Sequence, residues 1–244
     1  MGNTGSGLQL RRLSLTAPEG EVLFPPMDLN VRPGDIIAVM GTSGVGKSSL
    51  LAAICGSLDP RFGLEGDIRL DGRSLLGLPI ERRHVGILFQ DALLFPHLSV
   101  MANLLFALPS GGSSADRRGH CEAALSDADL TGYAKAQPNQ LSGGQAARVA
   151  LLRTLLARPR ALLLDEAFAK LDDKTRRQIQ DLVRKEVSKR AIPCLTVTHD
   201  PADAAALQAQ ILKLESPGEP VSPSPDVTST ERTEPVLAAS KRPC

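Results

Sequence analysis

Eight consecutive residues, Gly41-Thr42-Ser43-Gly44-Val45-Gly46-Lys47-Ser48, pose the chemical question. They follow an apolar run and lead into a helix-forming stretch that opens at Ser49. Glycines at this spacing let backbone N–H groups converge on one point, and a helix N-terminus behind them adds a positive dipole end; together these attract phosphate oxygens. Lys47 has the reach to place its ammonium on β- and γ-phosphates, and the Ser48 hydroxyl can ligate Mg²⁺. Further along, the run Leu162-Leu163-Leu164 ends on two carboxylates, Asp165 and Glu166. Mg²⁺ bound to phosphates usually takes one or two protein carboxylates, which suits Asp165. Glu166 is then left to act as general base on an attacking water.

A second glycine-rich helix start lies at Leu141-Ser142-Gly143-Gly144-Gln145. Ser142 is placed as an N-cap, and the paired glycines leave backbone N–H groups open at another positive helix end. One chain has no evident need for two phosphate-binding helix ends. A head-to-tail dimer has: the glycine loop of one subunit closes over the nucleotide held by the other.

The elements that must position these groups are legible as apolar runs. Ile36–Met40, Val85–Phe89, Ala161–Leu164 and Cys194–Thr198 are short and mostly apolar throughout, as strands buried on both faces of a parallel sheet are. Each is followed by a polar or glycine position: Gly41, Gln90, Asp165-Glu166 and His199-Asp200. Ligands of open α/β sheets bind beyond the carboxyl ends of the strands, so one shared site at that end is expected. Leu8 to Val31 is broken by Pro18, Gly20, Pro25 and Pro26 and predicts strands at a sheet edge. Gly66 to Gly72 alternates and ends in Asp-Gly, a hairpin signal. About seventy residues without a strand pattern follow the second run, with helices expected over 115–130 and 145–157 and another over 173–190. The longest stretch without a charged side chain, Ala92 to Ala115, is interrupted by Pro96, His97, Asn103, Pro109 and a Gly-Ser cluster. It therefore predicts protein-facing helices and loops, not a bilayer span. Residues 216–244 are rich in Pro, Ser and Thr and predict a disordered tail. Residues 1–7 predict a flexible N-terminus.

Composition narrows the class. Lys plus Arg number 28 and Asp plus Glu 27, a net charge of +1, which gives no electrostatic footprint for wholesale nucleic-acid binding. Four cysteines, far apart and without a C-x-x-C pair, argue against a structural zinc or a disulfide framework. Aromatic residues are 3%, so the core must be aliphatic.

Taken together, these motifs resemble those of the ATP-binding cassette (ABC) ATPase subunits, over about Leu8 to Leu214. The pentapeptide at 141–145 matches that family's signature sequence, and it stands in family order with the loop at 41–48, LLLDE at 162–166, Gln90 and His199. The segment Phe89 to Val100 is similar to that of bacterial importer subunits for inorganic anions, iron, polyamines and thiamine. The resemblance implies an α/β fold of the P-loop NTPase type: a RecA-like parallel sheet with antiparallel edge strands and a helical subdomain inserted at about 91–157, all within 8–215. It implies ATP and Mg²⁺ as ligands, with ATP held by Gly41, Thr42, Ser43, Gly44, Val45, Gly46, Lys47, Ser48, Ser49 and Gln90, and the metal by Ser48, Gln90 and Asp165. Glu166, His199 and Lys47 would be catalytic, with His199 as a switch histidine on the γ-phosphate. Leu141, Ser142, Gly143, Gly144 and Gln145 would address the partner's nucleotide, and Asp172 would lie in the loop that communicates across the dimer.

The implied assembly is a homodimer of ATPase subunits on separate transmembrane permease subunits, with a solute-binding protein in the same system, at the cytoplasmic face of the cell membrane. The alternative is an ABC-type ATPase acting on nucleic acid or ribosomes. This chain departs from the family in carrying Ala146, Ala167 and Ala169 where Arg, Pro and Ser are usual. It departs again at the base: family spacing puts the adenine-stacking position near Pro18, no aromatic residue lies between Met1 and Leu23, and Phe24 is expected to point into the core.

Overall fold

The leucines of the first segment set its structure. The computed structural model describes residues 6–215, and in it β1 (Leu8–Thr16) runs between β2 (Val22–Val31) and β4 (Gly63–Leu70), antiparallel to both. Leu8 and Leu10 face the core, and so do Leu13 and Leu15, although the odd and even positions of a strand point to opposite faces. A bulge resolves the conflict: the register slips between Leu10 and Leu13, and Arg12 takes φ 46°. One extra residue brings the second pair of leucines back to the same face. Of this segment only β2, which carries Pro25 and Pro26, is an edge strand; β1 is central, contrary to the expectation of strands at a sheet edge. β5 (Arg73–Ser74) completes this four-stranded sheet after a turn in which Asp71 and Gly72 both have positive φ, the backbone that the Asp-Gly pair favours.

The second sheet is parallel. β3 (Ile36–Met40), β6 (Val85–Phe89), β7 (Ala161–Asp165), β8 (Cys194–Val197) and β9 (Gln210–Lys213) stand in the order β6-β7-β8-β3-β9. Phe89 pairs with Asp165, Asp165 with Val197, and Val39 with Val197, so the carboxyl ends of four strands finish level with one another. β3, β7 and β8 are apolar on both faces because both faces are covered. β6 is not so placed: it is the outer strand, only Leu88 is buried, and Phe89 is exposed. β9 forms the other edge; its short Gln-Ile-Leu-Lys sequence carries little strand signal.

Leu163, Leu195 and Val197 face one core together with Leu50, Leu51 and Ile54 of α1 (Lys47–Cys55) and the leucines of β1. Leu162, Leu164 and Cys194 face the other, against α5 (Gly143–Leu156) and α6 (Asp173–Arg190). A third cluster joins α3 (Val100–Ala107) and α4 (Ser114–Asp127) to α5. α5 serves both: Leu151 and Leu155 point to the sheet, Val149 and Leu152 to α3 and α4. That split follows from the helical period, which gives a single helix two apolar stripes when it is packed on two sides. Two short helices, α2 (Ile80–Arg83) and α7 (Pro201–Ala206), precede β6 and β9. Among the described residues no helix is long and apolar enough to cross a membrane. The expected tail at 216–244 lies outside the described residues, as do residues 1–5 of the expected N-terminal segment.

Candidate functional site

The loop from Gly41 to Gly46 joins β3 to α1, and its last residue governs how the helix starts. Gly46 has φ 95°, a left-handed conformation, and a Cβ there would lie 2.9 Å from Leu23. No side chain caps α1, so its first N–H groups have no side-chain acceptor and point beyond the sheet, the arrangement that binds anions. Lys47 is buried, and its Nζ donates to the carbonyls of Gly41 at 2.9 Å and Thr42 at 2.7 Å. An ammonium has three N–H donors, so one remains for a phosphate oxygen. At the far end of α1, buried Arg83 donates to the carbonyls of Ala53 at 2.7 Å and Ile54 at 3.0 Å, and to that of Leu78. A cation at a helix C-terminus is electrostatically favourable, and here it anchors the helix that carries the loop.

Ser48, in the first turn of α1, donates to Asp165 Oδ1 at 3.3 Å. Asp165 ends β7, and burial pushes its carboxyl above the ordinary value; the Ser48 bond pulls it down, the neighbouring Glu166 charge raises it and Lys47 lowers it. A hydroxyl and a carboxylate are the hard oxygen donors that Mg²⁺ prefers, so this pair fits the ion. Glu166 follows with φ 45°. Left-handed backbone costs a non-glycine residue on the order of 1–2 kcal/mol. The conformation is held on both sides: Glu166 N–H donates to Val197 O at 3.1 Å, and its carbonyl accepts from Ala169 N–H at 3.1 Å. His199, after β8, brings Nδ1 to 3.6 Å from Glu166 Oε1. Ser48, Gln90, Asp165 and Glu166 line one cleft of about 460 Å³ with Phe89, Asp91 and Leu93. The level ends of the parallel strands thus bring Lys47, Ser48, Gln90, Asp165, Glu166 and His199 to one place, and Thr42, Ser43, Gly44, Val45 and Ser49 lie in the same loop and first turn.

The second glycine segment is elsewhere. None of Leu141 to Gln145 lines the cleft. Ser142 caps α5, accepting from Gln145 N–H at 3.3 Å, while Gln145 Oε1 accepts from Ser142 N–H at 2.9 Å and its Nε2 donates to Tyr133 at 2.7 Å. The two glycines differ. A Cβ on Gly144 would lie 2.2 Å from Thr175 Cγ2 of α6, so that residue is small to let two helices of this chain approach. A Cβ on Gly143 would meet nothing within 4 Å, so nothing in its own chain requires Gly143 to be small. Asp172 is exposed and caps α6, accepting from Thr175 N–H at 3.0 Å; that bond holds its carboxyl below the usual range. Phe24 is buried at 1% exposure beneath Gly46, and Pro18 sits exposed in the β1–β2 turn.

An apolar groove runs beside the cleft, lined by Gly86, Ile87, Leu93, Phe95, Phe106 and Arg153, with Phe106 70% exposed. Arg153 of α5 lies 5.4 Å over the Phe95 ring and donates to Leu93 O at 2.9 Å. Asn103 of α3, fully buried, accepts from Phe95 N–H and donates to the carbonyls of Phe95, Leu98 and Ser99. Asn103, which in the sequence only interrupts the uncharged stretch, and Arg153, to which the sequence assigns no role, thus hold the segment around Phe95 in place.

The pattern of the family described as "ABC transporter" matches residues 24–169. The ABC transporter ATP-binding protein YnjD of Escherichia coli (strain K12) is 45% identical over 82% of this chain and 94% of its own length. The aliphatic sulfonates import ATP-binding protein SsuB 1 of Xanthomonas axonopodis pv. citri (strain 306) is 39% identical over 86% of this chain and 81% of its own. Among solved structures, the ATP-binding cassette MJ0796, in a dimeric post-hydrolysis state bound to ADP and Pi, superposes with TM-score 0.72 at 29% identity over 85% of this chain and 94% of that one.

Proposed function

This chain belongs to the ABC transporter family as its ATP-binding subunit, and from that premise we propose which of its residues bind and hydrolyse ATP and where its partners sit. It is an ATPase whose energy drives import through permease subunits, and cassettes of this kind dimerise. The relatives are transporter ATP-binding proteins, and none of them supports action on nucleic acid or ribosomes.

One observation carries the assignment of roles: Ser48, Asp165 and Glu166 line a single cleft, with Ser48 3.3 Å from Asp165, and His199 reaches to 3.6 Å from Glu166. The loop N–H groups and Lys47 bind and orient the phosphates. Ser48 and Asp165, with Gln90 nearby, would hold Mg²⁺, which supplies charge neutralisation on the phosphate oxygens when bound. Glu166 accepts the proton of a water whose oxygen attacks the γ-phosphorus as the bond to the ADP oxygen breaks, and His199 donates to the γ-phosphate. Leu141 to Gln145 completes the site of the second subunit, which accounts for a solvent-facing Gly143 that its own chain does not need. Asp172 caps α6 through Thr175, the residue against which Gly144 packs.

The groove at Phe95 and Phe106 receives the permease. It is apolar, adjoins Gln90 and Leu93, and is tied to α5, the helix that begins with the 141–145 segment, by Arg153. A solute-binding protein completes the system outside the membrane, and this subunit works at the inner face. Affinity purification from native membranes in detergent tests the reading. Two hydrophobic subunits should accompany the chain; recovery with ribosomes or nucleic acid instead would overturn it.

A further inference from the structure

His199 is 68% exposed, and its approach to Glu166 is long for a hydrogen bond. A side chain so free in solvent must be placed by its backbone, and the residues on either side of it are tied down. Thr198 Oγ1 donates to Asp203 Oδ2 at 2.9 Å and accepts from the Asp200 N–H at 3.1 Å. Asp200 Oδ1 accepts from Ala202 N–H at 2.9 Å, capping α7, while its Oδ2 accepts from Arg176 Nη1 at 2.9 Å. The other oxygen of Asp203 accepts from Gln180 Nε2 at 2.7 Å, with Arg176 Nη1 3.7 Å away. Thr198, Gln180 and Asp203 are all buried.

A buried carboxylate is costly unless it is bonded and paired. Among the described residues the partners of the Asp203 carboxylate come from two places: the loop that carries His199, and α6. Arg176 lies in the first turn of α6, where its N–H donates to the Asp172 carbonyl at 2.8 Å. The chain of contacts therefore runs from the Asp172 cap through Arg176 and Asp203 to Thr198 and the backbone of His199.

We propose that Asp203, clamped by Gln180 and Arg176 of α6, is the positioning residue that sets His199 toward Glu166 and the γ-phosphate, and that it ties the orientation of His199 to α6. The proposal rests on the reading of His199 as a phosphate contact. Asp203 itself touches no substrate; it acts through the residue on each side of His199. A carboxylate that merely stapled α7 to α6 would affect stability and leave the chemical step alone.

The test uses the full chain and Mg-ATP hydrolysis at saturating and limiting nucleotide. Thr198→Val keeps the shape of the side chain and removes the hydroxyl that reaches Asp203, so it avoids the folding risk of Asp203→Ala; both are made, with Thr198→Ser as the rescue and His199→Ala as the second background. Thr198→Val and Asp203→Ala should lower kcat about tenfold, within the range of coupling between contacting residues, with KM for ATP within about twofold. Thr198→Ser should restore kcat. In the His199→Ala background Thr198→Val should cost nothing further, because both changes remove the same placement. In ¹H–¹³C spectra the His199 ring signals should shift in Thr198→Val while those of His84, His97 and His120 stay in place.

Wild-type kcat in Thr198→Val, or a loss that multiplies fully with that of His199→Ala, would overturn the proposal while the reading of His199 stands. Unchanged kcat in His199→Ala itself would overturn that reading and this inference with it.

Discussion

Glu166 stands where few glutamates do, at φ 45°, and its strain is matched by backbone bonds on both sides. Strain kept at a strand end beside a phosphate loop is a common mark of a working residue. Glu166→Gln keeps the shape and removes the base. It should bind Mg-ATP normally and lose about 10²–10⁴ in turnover, as phosphate release and a nucleotide-binding titration would show; Lys47→Ala should instead weaken binding. The base of the nucleotide is the opposite case. Phe24 is buried beneath Gly46 and Pro18 is exposed, so neither offers an aromatic face to the base. Base–aromatic stacking is worth about 1–3 kcal/mol. With phosphate contacts dominating, kcat/KM for GTP should fall within about tenfold of ATP, equivalent to about 1.4 kcal/mol. A preference beyond a hundredfold would show that another side chain reads the adenine.

At the scale of elements, chemistry was more legible than architecture. Lys47, Ser48, Asp165 and Glu166 could be read because a phosphate site demands those types at those spacings and in that strand–helix order. Asp203, Gln180 and Arg176 could not, since their meeting exists only after α6 packs beside the His199 loop. The edge position of β6 was hidden as well: its run looks like that of a central strand, and only its place in the sheet order leaves Phe89 exposed. The bulge at Arg12 breaks the period of two in β1, so a strand was legible there but its central place in the sheet was not. The uncharged stretch after Gln90, expected to form protein-facing helices and loops, contributes Phe95 and Phe106 to the groove. Phe106→Asp puts a charge on its most exposed ring without disturbing the buried Asn103 bonds. The isolated subunit should keep its ATPase rate, and permease should be lost on co-purification; retention of both subunits would place the contact elsewhere.

For the molecule as a whole, Leu141–Gln145 stands apart from the cleft of its own chain, and under the proposed dimer one chain would hold two incomplete sites. Ser142→Arg places bulk and charge where a second subunit's nucleotide would rest. It should abolish turnover and leave one ATP bound per chain by equilibrium dialysis; full activity would exclude a shared site. A last consequence concerns α1, whose first turn no side chain caps. A phosphate arriving there satisfies N–H groups that the protein leaves open, so nucleotide binds the native chain and not the unfolded one. By mass action this adds about 2.7 kcal/mol when free nucleotide exceeds its Kd a hundredfold. Melting temperature should therefore climb with ATP in the wild type and hardly at all in Lys47→Ala. The ATP level thus acts on how long the subunit survives as well as on how fast it turns over: a cell depleted of nucleotide would meet a larger unfolded fraction, open to proteases, before any change in synthesis.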